Sequence, residues 1–368
     1  MESQSPLVPL PSTEFDESPR PLSEVEGPLP FFGLTPEEVR TRLTDAGWQG
    51  YRAEQVLDWV YRKRTRDSKA MSNLGKSQRE GLPSLIDLSL PHLHRKVGSP
   101  KGDSFKYALE LRDKTRVESV AMLSKRGVTL CVSSQAGCGM ACVFCATGTL
   151  GLLRNLKADE IVAQVVHMLE TTGWEDPGFN IVFMGMGEPL ANYAATMKSI
   201  RILNAEAGLN VGARRITVST CGLVPQIHRM AREGLQIGLA LSLHATTDSL
   251  RDRLVPINQR YPLRELLRAA EYYATTTGRR ITLEYILLAG VNDHKGDAER
   301  LAAIANSLPC KVNLIPYNPV PQLPWQRPTD EAIQRFADWL FPRCPAVTLR
   351  WSQGGDIFAA CGQLGAKA

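Results

Sequence analysis

From Leu156 onward the chain repeats one pattern, an amphipathic helical stretch followed by an apolar strand, and this alternation restricts the fold more than any other feature. The pairs are KADEIVAQVVHML with NIVFM, YAATMKSIRIL with RRITVS, VPQIHRMARE with IGLALSLH, LRELLRAAEYYA with ITLEYILL, AERLAAIANSL with KVNLIP, and DEAIQRFADWL with VTLRW. A helix between successive strands returns the chain to the same end of a sheet, so the strands run parallel. A closed eight-fold barrel takes about 250 residues, and about six units fit here. The expected class is therefore α/β, a partial (β/α)6 barrel whose functional groups gather at the C-terminal strand ends.

The segments before the repeat differ in kind. Residues 1–33 read as a disordered acidic tail: Glu2, Glu14, Asp16, Glu17, Glu24 and Glu26 face only Arg20, among prolines and without an apolar run. Residues 34–95 read as a small helical domain. Thr35-Pro36-Glu37-Glu38 is a capping box with proline at the first helical position, and Gly47 ends the helix. A second helix carries Val56, Leu57, Trp59 and Val60 into YRKRTR, where Arg62, Lys63, Arg64 and Arg66 are either a solvated helix end or a phosphate-contacting patch. KYALEL, RVESVAML and GVTLCV form a small antiparallel unit, with residues 96–123 as its extension, 124–354 as the core and 355–368 as a C-terminal segment.

Charge and cysteine placement narrow the chemistry. Removing the acidic tail from a whole-chain charge of +5 leaves a body near +10, which suits an anionic partner. No apolar stretch approaches the roughly 20 residues of a spanning helix, and the start lacks the basic and apolar regions of an export signal, so a cytoplasmic protein is expected. Four of the eight cysteines, Cys131, Cys138, Cys142 and Cys145, fall close together, and Cys221, Cys310, Cys344 and Cys361 are scattered. In a chain without an export signal such a cluster points to metal or redox chemistry rather than structural disulfides.

CVSSQAGCGMACVFCATG holds Cys138-x-x-x-Cys142-x-x-Cys145 directly after a strand. Three thiolates at this spacing can bind three irons of a 4Fe-4S cluster from one loop and leave the fourth iron open. A structural zinc site takes four protein ligands, and no matching Cys or His pair lies nearby. At the start of a βα barrel the motif resembles that of radical S-adenosylmethionine (SAM) enzymes. The resemblance implies that the open iron chelates SAM, whose reductive cleavage gives a 5'-deoxyadenosyl radical. Gly187-Glu188 in GMGEP would sit beside the SAM amino group. Ser219, Ser242-Leu243-His244 and Asn318, all at strand ends, would complete the SAM site. Alone, each could simply cap the next helix. Phe144 is either core packing or the aromatic beside the SAM adenine.

CVSSQ-x-GC, GMGEP, SLHA, VPIN, LIPYNP and AACGQL together resemble the RlmN family of RNA adenine carbon-2 methyltransferases and their Cfr-type carbon-8 relatives, over about residues 34–365. The resemblance implies that Cys361 takes a methyl from one SAM and that a radical from a second SAM activates it. Carbon then adds to adenine, a poor nucleophile at this position. Cys131 attacks Cys361 at sulfur, forming a transient disulfide that an external reductant reopens. Glu118 would accept the carbon-bound proton. Cys221, Cys310 and Cys344 match no family role. Phe358 stands where the family carries an acidic residue. The implied substrates are 23S ribosomal RNA and the adenosine 3' to the anticodon in some transfer RNAs, reached by splaying the base; apart from the resemblance, a monomer is expected. Pro189 and Pro316 favour carbon 2 over carbon 8. The alternative in another class is a non-catalytic, metal-stabilised RNA-binding protein.

Overall fold

The computed structural model describes residues 26–125, 127–174, 178–344 and 346–366; most of the acidic tail lies outside them. In chain order the elements begin with β1 (Leu29–Pro30), α1 (Pro36–Asp45), α2 (Tyr51–Leu57), α3 (Lys76–Leu85) and β2 (Ile86–Asp87). Next come β3 (His92–Gly98), β4 (Ser104–Glu110), β5 (Arg116–Ser124), β6 (Gly127–Cys131) and β7 (Gln135–Gly137). The one-turn α4 (Ala146–Thr149) and β8 (Leu152–Asn155) precede α5 (Ala158–Thr171), β9 (Phe179–Phe183), α6 (Tyr193–Asn204) and β10 (Ile216–Thr220). The chain continues with α7 (Val224–Ala231), β11 (Gly238–Ser242), α8 (Asp248–Leu254), α9 (Leu263–Thr277) and β12 (Ile281–Leu287). It closes with α10 (Lys295–Asn306), β13 (Cys310–Pro316), α11 (Asp330–Leu340) and β14 (Val347–Leu349).

Ten strands make one sheet in the order β14-β13-β12-β11-β10-β9-β6-β5-β4-β3. The stretch from β6 to β14 is parallel, and β6-β5-β4-β3 is antiparallel. β14 and β3 stand at opposite ends, so the parallel part is an open barrel. The six expected helix–strand units are present. β6 has two roles, however. It pairs antiparallel with β5 through Val120–Cys131 and parallel with β9 through Cys131–Val182, so GVTLC belongs to the barrel as its first strand as well as to the antiparallel unit. Register brings this about: one strand offers both edges, and its two neighbours approach from opposite chain directions.

In the N-terminal domain the capping box forms, with Glu38 N–H donating to Thr35 Oγ1 at 3.2 Å and Thr35 N–H donating to Glu38 Oε2 at 2.8 Å. Gly47 follows at φ +81°, a conformation glycine adopts without steric cost. Phe31, Phe32 and Tyr61 fill the small core, with Phe31 and Tyr61 ring centroids 5.2 Å apart. β3 begins at His92, within the range expected to be helical, because the antiparallel sheet extends into the linker. The basic run after α2 turns toward the barrel: Arg66 pairs with Glu170 of α5 at 3.0 Å, and Arg62 donates to the Glu206 carbonyl at 3.5 Å. These charges tie the small domain to the core while remaining partly exposed. Among the described residues no helix is long and apolar enough to cross a membrane.

Candidate cofactor cleft and thiol pair

The C-terminal ends of the parallel strands surround one cleft, lined among others by Cys138, Cys142, Cys145, Glu188, Ser219, Ser242, His244 and Cys361. The cysteine loop leaves β7 and enters α4. Its tight path depends on Gly148, where a Cβ would lie 2.7 Å from the Cys142 carbonyl oxygen. The C-terminal segment seals it: Ala146 N–H donates to the Gly362 carbonyl at 2.8 Å, and Thr147 Oγ1 donates to the Leu364 carbonyl at 2.7 Å. Burial pushes the Cys138 and Cys145 thiols up, so thiolates here need a bound cation. Among the described residues no three Cys, His, Asp or Glu side chains converge on one point as a single-ion site requires. A 4Fe-4S cluster spreads its thiolates over separate irons, and the three-cysteine loop fits that arrangement.

Opposite the loop, Gly187 takes φ +100°, and a Cβ there would lie 2.5 Å from the Gln135 side chain. The GMGEP turn thus packs directly on β7, and Glu188 N–H donates to Gln135 Oε1 at 2.8 Å. Glu188 is buried. Its Oε1 accepts from Leu190 N–H at 3.1 Å and its Oε2 from Cys221 N–H at 2.8 Å, yet burial still raises its carboxyl above the usual range. It therefore caps the next turn as well as facing the cleft. The Ser219 and Ser242 hydroxyls stand 3.5 Å apart. His244, at φ +57°, accepts from Ile286 N–H through Nδ1 at 3.2 Å. Burial holds its imidazole down to about 3, hence neutral, and its ring meets Phe144 edge-on at 5.0 Å. Phe144 lines the cleft.

Two of the expected cofactor residues are not among those lining this cleft. The Leu243 side chain is fully buried outside the cleft lining, because alternate residues along β11 and its extension face opposite sides of the sheet. Asn318 also lies outside that lining, and its Nδ2 donates to the Cys361 carbonyl at 3.1 Å, holding the C-terminal segment. Glu118 sits beneath the same segment: Oε2 accepts from Gly365 N–H at 2.8 Å, and Oε1 pairs with Lys106 Nζ at 3.3 Å. Lys106 also donates to the carbonyl of Phe358, which adopts φ +53°. Cys361 borders both the cleft and a smaller adjoining chamber, and Cys131 borders the chamber only. Both thiols are free.

The sequence reading passed over Arg251, Glu284 and Arg350 and gave Cys221 no role. Cys221 lines the cleft with Sγ 3.6 Å from Cys142 Sγ. Arg251 is fully buried and joins strand ends to the VPIN turn. Glu284 and Arg350 line the cleft beside Cys361. A carboxylate within the apolar run ITLEYILL was the available signal for Glu284; the other three carried none. The spacing of the loop motif leads us to expect its three thiolates to hold the cluster, so Cys221→Ser is expected to keep wild-type iron and sulfide per chain, and Cys142→Ala to lose most of both. Chemical analysis of reconstituted protein decides, and a matching loss in the Cys221 variant would make Cys221 a ligand.

An open parallel barrel with this cysteine loop at its strand-end rim is that of a radical SAM enzyme, and residues 132–302 match the Radical SAM superfamily. Residues 30–88 match the ribosomal RNA large subunit methyltransferase N-terminal domain. The "Probable dual-specificity RNA methyltransferase RlmN" of Dictyoglomus turgidum is 44% identical, covering 89% of this chain and 94% of the relative. That of Pelotomaculum thermopropionicum is 48% identical, covering 91% and 90%. The crystal structure of a radical SAM methyltransferase from Sphaerobacter thermophilus has a TM-score of 0.88 at 48% identity, covering 92% of this chain and all of the other. The chain belongs to the RlmN family and is a SAM-dependent methyltransferase that uses a 4Fe-4S cluster.

Proposed function

We propose that this enzyme methylates carbon 2 of a specific adenosine in 23S ribosomal RNA and of the adenosine 3' to the anticodon in a subset of transfer RNAs. The observation that carries this reading is the placement of Cys361, which borders the cofactor cleft and shares a second chamber with Cys131. Cys138, Cys142 and Cys145 hold the cluster, and Gly187, Glu188, Ser219, Ser242, Leu243, His244 and Asn318 form or support the SAM site. The bound cluster and SAM supply the radical chemistry. Cys361 carries the methyl group, Glu118 takes up the carbon-bound proton, and Cys131 releases the product by thiol exchange.

The remaining assignments follow the same reading. The domain spanning residues 34–95 holds RNA, the enzyme acts as a cytoplasmic monomer, and an external donor reduces the cluster and reopens the disulfide. Anaerobic reaction of cluster-loaded protein with SAM, reductant and a large-subunit RNA fragment is expected to give 2-methyladenosine by mass spectrometry of digested nucleosides. An 8-methyladenosine product would replace carbon 2 with carbon 8. Intact SAM and unmodified RNA would refute the reaction.

A further inference from the structure

Arg350 has no place in the scheme above, although it lines both the cofactor cleft and the chamber that joins Cys131 to Cys361. Its backbone N–H donates to the Leu314 carbonyl at 2.8 Å, which fixes it at the end of β14. Among the described residues no carboxylate forms an ion pair with its guanidinium. Its proton is held by Cys361 foremost, against burial, and then by Glu284 and Cys131. Cys131 stands in a difficult place for a nucleophile. It is 6% exposed on β6, with Val120 opposite on β5 and Val182 on β9. Burial pushes its thiol up to about 12, Cys361 adds to that, and Arg350 with the Met184 N–H opposes it. Arg350 is thus the charged side chain that favours the Cys131 thiolate.

We propose that Arg350 is a positioning residue for product release, its guanidinium compensating the Cys131 thiolate in the chamber shared with Cys361. The inference rests on the release step proposed above. In that step the base is joined to Cys361 through a CH2–S bond, the carbon-bound hydrogen having left. The Cys131 thiolate forms an S–S bond with Cys361, and the CH2–S bond breaks with its electron pair going to carbon. That carbon takes one proton and becomes the methyl group. The two sulfurs are oxidised to a disulfide and the carbon is reduced. A cation within a few ångströms lowers a thiol's pKa by about 1–3 units. The gain in thiolate is partly offset by lower nucleophilicity, with a Brønsted slope of about 0.4–0.5. Net, loss of the cation slows the attack by about 3- to 60-fold.

The test is the lifetime of the covalent protein–RNA adduct. Cluster-loaded full chain, SAM, reductant and a large-subunit RNA fragment are mixed anaerobically, quenched, and resolved on a denaturing gel. Arg350→Met is expected to accumulate adduct that decays about 3- to 60-fold more slowly than wild type, and Arg350→Lys to restore most of the rate. Iron content and circular dichroism check each variant, and Arg350→Gln carries the comparison if the methionine variant folds poorly. Decay at the wild-type rate without the cation overturns the proposal, as does an Arg350→Lys variant no faster than Arg350→Met. So does a variant that forms no adduct although a peptide mass shows Cys361 methylated, because Arg350 would then act before release. Cys131→Ala separates the two levels: if it too builds up no adduct, the release step itself is wrong.

Discussion

Cys361→Ala is expected to abolish methylated nucleoside, a loss of at least about a thousandfold, while leaving the cluster and SAM cleavage in place. The size follows from the proposed chemistry, in which the thiol is a reactant, and no other cysteine lines both cleft and chamber among the described residues. Retention of the cluster follows from geometry. The C-terminal segment seals the cysteine loop through the Gly362 and Leu364 carbonyls and is held by Asn318 through the Cys361 carbonyl; none of these bonds uses the Cys361 sulfur. Nucleoside mass spectrometry reads the product, iron analysis the cluster, and chromatography of 5'-deoxyadenosine the cleavage. Residual 2-methyladenosine above background would remove Cys361 from the methyl path. Loss of iron as well would mean that the side chain has a structural part in the loop.

Local signals in the sequence were followed faithfully by the fold. Helix–strand alternation gave the parallel barrel strands, and the Thr35–Glu38 box formed as read because its partners lie three residues apart. The three-cysteine loop was legible for the same reason. What the sequence concealed depends on contacts between distant segments. Cys131 pairs with strands on both sides, so the boundary between antiparallel unit and barrel runs along β6 rather than beside it. Cys221 is 79 positions from Cys142, and only the approach of β10 to the cysteine loop brings their sulfurs together. The basic run at residues 62–66 admitted two readings of its exposed face, yet docking on α5 decided part of its role through Glu170. Arg350 lay in an ordinary strand pattern, and its meaning arises from the C-terminal segment bringing Cys361 to the same cleft and chamber.

Arg251→Met is expected to cost about 3 kcal/mol of folding stability or more and to weaken SAM binding at least tenfold. The guanidinium is fully buried. Nε donates to the Leu243 carbonyl at 3.1 Å, Nη1 to Asn258 Oδ1 at 3.0 Å, and Nη2 to the Cys221 carbonyl at 2.6 Å and the Ser242 carbonyl at 3.1 Å. Asn258 in turn donates to Asp248 Oδ1 at 3.0 Å and Asp252 Oδ1 at 2.7 Å, linking the cation to two carboxylates. Two effects compete. Removing a desolvated charge recovers several kcal/mol. Against that, four acceptors lose their donor, each worth about 1–3 kcal/mol when left buried and unpaired, and the link to the carboxylates is broken. The second effect wins because methionine fills volume but supplies no donor. The same bonds fix the ends of β10 and β11, so Ser219, Ser242 and His244 lose their common alignment together. Denaturant unfolding of the variant against wild type measures the first consequence, and anaerobic equilibrium dialysis of SAM against cluster-loaded protein the second. Unchanged unfolding with weakened binding would assign Arg251 to the site alone, whereas wild-type values for both would mean that the strand ends hold their geometry without it.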